Sequence, residues 1–278
     1  MSAAHVAIMT GAGNAFAVLD AREAPPQEQW AELARRLCEQ PPASCPLRKL
    51  DGVLFVAPGA DNGSCSMVVH NADGSRPQTC GNGIRCVAHF ARERGLVESD
   101  ELVVHTDAGA CAVQLRRERG ALVGARVDMG PPREVEREVE LRGEFGRVLA
   151  TRVDMGNPHC VLVVDDERSA PVNELGPVLE RHARFPDRTN VEFVAQREGR
   201  WRLRVWERGV GETAACGTGA CAAAVALMRA GSARSPLALS LPGGTLSVEW
   251  DGASAVWLTG PSEHVASLEL ELEEATLR

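Results

Sequence analysis

The sequence predicts an α/β protein built from two similar halves, and three observations carry that prediction. The tetrapeptide CGNG at 80–83 returns as CGTG at 216–219, an offset of 136 in a chain of 278 residues, and each copy runs into a helix-like stretch of small residues. Four blocks recur in the same order: Asn14 falls on Asn157 (offset 143), Val53–Val56 on Val191–Val194 (138), Cys80 on Cys216 (136), and Gly109 of GACAVQL on Gly244 of GTLSVEW (135). Preserved order with slow drift is the mark of a duplicated domain with small gaps. Finally, short β-branched runs bounded by Gly, Asp, Asn or Pro outnumber helical patterns.

Along the chain, FAVLD at 16–20 is the first strand-like run. PPQEQWAELARRLCEQ at 25–40 reads as a helix, opened by proline and carrying Trp30, Leu33 and Leu37 on one face. GVLFVAPG at 52–59 and SMVVHNADG at 66–74 are strands, as are ELVVHTDAG at 101–109 and ACAVQLRRE at 110–118. The segments after the two CGxG motifs, IRCVAHFARERG and ACAAAVALMRAG, are helices that stop at Gly95 and Gly231, where a C-terminal cap belongs. MGPPR at 129–133 is the seam, because consecutive prolines suit neither helix nor sheet. The halves are therefore expected at 1–132 and 133–261.

Composition excludes several classes. A net charge of −8, without clustered Lys and Arg, argues against nucleic acid and against an anionic membrane surface. The longest apolar run, Ala220 to Met228, is far short of the ~20 residues that span a bilayer. The start MSAAHVAIMTGAGN lacks a basic segment ahead of an apolar core, so a cytoplasmic protein is expected. Nine cysteines without one C-x-x-C pair argue against a disulfide framework and against a zinc site, so no metal is expected and most thiols should simply pack.

Cys80 and Cys216 are the exceptions. A glycine-flanked turn entering a helix leaves backbone N–H groups pointing outward, where they and the helix dipole attract an anion. The same field should make a cysteine there more acidic than a free thiol. Two such cysteines on opposite sides of one carbon could remove a proton and return one from the other face, inverting the centre. Nucleotide-binding loops compete poorly: GAGNAF at 11–16 lacks the third glycine of G-x-G-x-x-G, and neither CGxG segment ends in G-K-[ST]. A single-cysteine acyl transferase with His159 as base leaves the second cysteine without a role.

The segments NADGSRPQTCGNGIRCVAHF, MGNPHC, RTNVEF and WERGVGETAACGTGACAAAVA resemble those of diaminopimelate epimerases, over about residues 9 to 261. The resemblance implies two α/β domains, each a β-barrel-like sheet around a central helix with the active site in the interdomain cleft. It also places 262–278 with the first half. The implied activity is interconversion of LL- and meso-2,6-diaminopimelate at Cα, for lysine and peptidoglycan precursor biosynthesis, without pyridoxal phosphate or other cofactor and as a homodimer.

By motif matching, Cys80 and Cys216 would be the two bases, and the N–H groups of Gly81, Asn82, Gly217 and Thr218 would hold the substrate carboxylate. Asn14 would sit near the reacting amine. Asn71, Asn157, Asn190 and Arg208 would bind the distal end, Glu207 would serve the distal amine or a neighbouring thiol, and His159 would orient a thiol. An Arg, an acid and several amides suit a substrate with a second amino acid end. The chain departs from the family pattern at IMT (8–10), at Ala15 and at LRKLD (47–51), where Arg48 and Lys49 replace glycines and the loop over the amine should be reshaped. The alternatives are a related racemase acting on another amino acid, such as histidine or proline, and a non-catalytic amino acid binding protein on the same scaffold.

Overall fold

The computed structural model describes residues 2–78 and 80–272. The chain divides into two compact units, one running to Val127 and resuming at Gly260, the other Asp128–Thr259. Positions 273–278, expected with the first half, lie outside the described residues. Among the described residues no helix is long and apolar enough to cross a membrane.

The first unit holds β1 (Ser2–Gly11), β2 (Asn14–Asp20), α1 (Trp30–Glu39), β3 (Gly52–Pro58), β4 (Ser64–Asn71), α2 (Gly81–Glu93), β5 (Glu101–Thr106), β6 (Gly109–Glu118) and β7 (Ala121–Asp128). The second holds β8 (Glu134–Gly143), β9 (Gly146–Asp154), β10 (Pro158–Val163), α3 (Val172–Glu180), β11 (Asn190–Arg197), β12 (Arg200–Glu207), β13 (Gly211–Thr213), α4 (Gly217–Arg229), β14 (Leu237–Leu241), β15 (Gly244–Glu249) and most of β16 (Trp257–Pro261). The last strand, β17 (Glu263–Leu272), returns to the first unit and pairs antiparallel with β1.

The duplication is visible in register. β2 and β3 run parallel with Ala17 opposite Val53, and β10 and β11 run parallel with Cys160 opposite Val191. Those residues are partners under the offsets read from the sequence. The next pair is antiparallel in both units, with Val53 opposite His70 and Val191 opposite Trp206. Parallel β4–β5 is matched by parallel β12–β14, and each leads into a hairpin, β5–β6 or β14–β15.

In each unit the sheet wraps the helix that follows the CGxG motif. α2 touches every strand from β1 to β6, and α4 touches β9, β10, β11, β14 and β15. Consequently all of Asn82 to Ala91 is buried, as is all of Gly219 to Leu227. The alanine-rich run of α4 lets strands approach from all sides, as expected for a helix apolar around its whole circumference. α2 also buries Arg85, whose guanidinium donates to the Pro261 and Gly81 carbonyls and to Asn82 Oδ1, and His89, which meets Ser262. Both helices end as expected: Gly95 and Gly231 adopt φ of 67° and 73°, and the N–H groups of Leu96 and Ser232 reach back to the Ala91 and Leu227 carbonyls.

α1 covers the outside of the first sheet, burying Trp30, Leu33 and Leu37 on Ile8, Leu19, Val53 and Phe55. Trp30 stacks on Phe55 at 4.1 Å between ring centroids and donates its Nε1–H to the Pro25 carbonyl. α3 does the same in the second unit, setting Val172 and Leu179 against Leu162, Val191 and Phe193.

Candidate active site

Each CGxG cysteine is the N-cap of its helix. Cys80 (φ −143°, ψ 106°) and Cys216 (φ −127°, ψ 119°) are extended, and the chain turns helical at the next residue. Their sulfurs accept from the N–H groups of Gly83 at 3.4 Å and Gly219 at 3.3 Å. The second glycine of each motif is required by space. A Cβ on Gly83 would lie 3.1 Å from Leu54 Cδ2 and 3.4 Å from Cys80 Sγ; one on Gly219 would lie 2.9 Å from Glu192 Oε1 and 3.3 Å from Cys216 Sγ.

The expected acidification does not hold at Cys216. Burial pushes its thiol well above the ordinary value, and the Glu207 carboxyl pushes it the same way. Hydrogen bonds from Thr218 and Gly219 oppose this without overcoming it. The helix terminus supplies at most about 2 kcal/mol, whereas stripping water from a thiolate costs more. Cys216 therefore stands as a thiol here.

In the first unit a line of side-chain hydrogen bonds has a fixed direction. Arg85 Nη2 donates to Asn82 Oδ1 at 2.8 Å, Asn82 Nδ2 to Asn14 Oδ1 at 2.6 Å, and Asn14 Nδ2 to Asp51 Oδ2 at 3.2 Å. A guanidinium can only donate and a carboxylate only accept, so the two amides between them have one orientation. Asp51 also accepts the Ala15 N–H at 2.9 Å. Asn71 lies at the end of β4 and donates to Ser75 Oγ at 3.0 Å across the following turn. At 47–51 the glycine replacements need no left-handed backbone: the positive-φ non-glycine residues described are Ala12, Arg119, Glu138, Arg188 and Glu198, and Leu50 packs in the core.

In the second unit, buried His159 places Nδ1 2.7 Å from Glu192 Oε1 and Nε2 3.0 Å from Asn157 Oδ1. Asn157 Nδ2 donates to Thr218 Oγ1 at 3.4 Å, and Thr218 Oγ1 lies 3.5 Å from Cys216 Sγ. Glu207 accepts from Thr213 Oγ1, and burial pushes its carboxyl pKa up, while the neighbouring Cys216 thiol pulls it the other way. Asn190 is a brace: its Nδ2 donates to the Pro158 carbonyl at 3.0 Å and its Oδ1 accepts the Arg208 N–H at 2.9 Å. Arg208 is exposed and donates to the Asp187 carbonyl. The structure thus gathers Asn157, His159, Glu207, Cys216, Gly217 and Thr218 around one helix start, and Asn14, Cys80, Gly81 and Asn82 around the other.

Sequence reading missed Asp51, Arg85, Thr213 and Glu192 as parts of these clusters. Arg85 and Glu192 carried a usable signal, a charged residue inside an otherwise buried helix or strand.

The chain is matched by the Diaminopimelate epimerase family model over residues 6–135 and 151–265. The chain belongs to the diaminopimelate epimerase family. Among members of the family, the diaminopimelate epimerase of Moorella thermoacetica is 43% identical, the alignment covering 94% of this chain and 97% of that one. That of Desulfitobacterium hafniense is 39% identical over 92% and 94%. The fold extends beyond the family: a PhzF-family phenazine biosynthesis protein of Bacillus anthracis superposes with a TM-score of 0.75 at 17% identity, covering 98% of this chain and all of that one. A probable proline racemase of Agrobacterium radiobacter K84 does so with a TM-score of 0.69 at 18% identity, over 99% and 94%.

The packing thiols of this family member give a pH prediction. Burial lifts Cys38 to about 11 and Cys65 and Cys86 to about 12, from 9.0 when unfolded. A folded-state pKa above the unfolded one gives stability that is complete below about pH 9 and lost as pH rises through the folded value. The urea midpoint is expected to fall steadily between pH 9 and 11; a flat midpoint across that range would contradict the burial of these thiols.

Proposed function

We propose that this chain is a cofactor-independent amino acid epimerase interconverting LL- and meso-2,6-diaminopimelate, with Cys80 and Cys216 as the two bases. The observation that carries the reading is the pair of cysteine N-caps at duplicated helix starts in a member of this family. One sulfur, as thiolate, takes the Cα proton and leaves the C–H electron pair on the substrate. The other, as thiol, delivers its proton to the opposite face, and the reverse reaction exchanges the two roles. Charge developing on the substrate carboxylate meets the N–H groups of Gly81, Asn82, Gly217 and Thr218 at the helix starts.

The buried Cys216 thiol, with the Glu207 carboxyl beside it, suits the donor's part when the substrate arrives, and Glu207 then accepts or returns its proton. Asn14 serves the reacting amine, held by Asn82 and Asp51. Asn71, Asn157, Asn190 and exposed Arg208 serve the distal end, and His159 acts on the reacting thiols through its neighbours. The functional unit is read as a homodimer in the cytoplasm.

Incubation with LL-diaminopimelate in D2O is the test. Deuterium should appear at Cα together with the meso isomer on chiral chromatography. Exchange into histidine or proline with none into diaminopimelate would make the chain a related racemase. Binding without exchange would make it a binding protein.

A further inference from the structure

Glu192 lies at the start of a hydrogen-bonded line that runs through His159, Asn157 and Thr218 and ends on Cys216. Asn157 Oδ1 has no proton, so His159 Nε2, 3.0 Å away, must carry one. The amide is thereby fixed with Nδ2 donating to Thr218 Oγ1. Thr218 keeps its own hydroxyl proton, which Cys216 Sγ, 3.5 Å away, can accept.

The first link asks what Glu192 gives to His159 Nδ1, 2.7 Å from its Oε1. Both side chains are fully buried, and Glu192 Oε2 has no hydrogen-bond partner among the described residues. An unpartnered oxygen in a dry interior costs far less as the carbonyl of a neutral acid than as half of a carboxylate.

We infer that Glu192 is a positioning residue that stands as a neutral carboxylic acid, donates from Oε1 to His159 Nδ1, and so locks the line through Asn157 and Thr218 in the direction that offers the Cys216 sulfur a hydrogen bond. The titratable groups facing Glu192 are His159, Glu207, Cys160 and Cys216. Burial and Glu207 push its carboxyl pKa up, against the pull of His159. When Cys216 loses its proton, the thiolate meets the Thr218 hydroxyl and the Gly219 N–H already aimed at it, with no dipole left to turn. The inference rests on the reading that Cys216 exchanges a proton with the substrate.

The test follows the rate of iodoacetamide labelling of Cys216 at pH 8 by peptide mass mapping, in the unmodified protein and in Glu192→Gln, Glu192→Leu and Thr218→Val. Glutamine can donate from its amide as the neutral acid does, so E192Q should keep the wild-type labelling rate. E192L loses the first donor and T218V the last, and each should slow labelling about tenfold, as a thiol pKa raised by about one unit would. Wild-type labelling in T218V overturns the line even if E192L does not fold, and wild-type labelling in a folded E192L removes Glu192 from it. E192Q labelling slowed like that of T218V overturns the neutral acid. No turnover is measured, so failure here is distinct from failure of the two-base reading, which activity of Cys216→Ala decides.

Discussion

Cys216→Ala and Cys80→Ala are each expected to lower epimerisation by at least about three orders of magnitude while leaving the protein folded. General acid–base catalysis contributes about 10² to 10⁴ in rate, and an inversion that takes a proton on one face and returns it on the other fails when either partner is missing. The cost to folding is small. The cap hydrogen bonds to the sulfurs are long, 3.4 Å from Gly83 to Cys80 and 3.3 Å from Gly219 to Cys216, and even a strong oxygen cap is worth only about 1 kcal/mol. Initial rates of meso product formation, read beside far-ultraviolet circular dichroism, check both parts. Near-wild-type turnover in either folded variant ends the two-base reading.

Arg85→Leu is expected to be the most damaging single change to the first unit. The side chain is fully buried, and leucine fills much of its space while supplying none of its donors. Asn82 Oδ1 and the Pro261 carbonyl would lose a charged donor, a loss of about 2–4 kcal/mol for buried acceptors. The urea midpoint should fall accordingly. Because Arg85 also sets the direction of the amides of Asn82 and Asn14, the KM for diaminopimelate should rise in whatever fraction remains folded. Unchanged stability would show that Asn82 and the strand at Pro261 find other donors.

Much of the architecture was legible because duplication makes each half a check on the other. The drift from 143 to 135 in offset located the paired strands, and the structure places Ala17 on Val53 and Cys160 on Val191 in matching parallel register. Other elements were hidden for physical reasons. β1 is buried along most of its length, so SAAHVAIMTG shows a run of small apolar residues rather than alternation. α3 is nine residues long with Pro177 inside it, which weakens any helical pattern.

The site divides the same way. Cysteines at helix starts follow from motif and local geometry. The acidity of Cys216 does not, since it depends on water excluded by residues distant in sequence and on the Glu207 carboxyl, brought in by a neighbouring strand. Glu192 itself sits in NVEFV, where a strand pattern gives no hint that its carboxyl faces a histidine on the strand beside it.

The pairing of β17 with β1, from Ser2 opposite Leu272 to Thr10 opposite Glu263, joins the first and the last of the described strands. A ribosome releasing this chain completes the internal unit, Asp128–Thr259, before the first unit can acquire its final strand. Until then the β1 edge is open to adventitious pairing with other nascent chains. Translation order therefore makes the amino-terminal unit the later to finish, although it is the earlier to emerge.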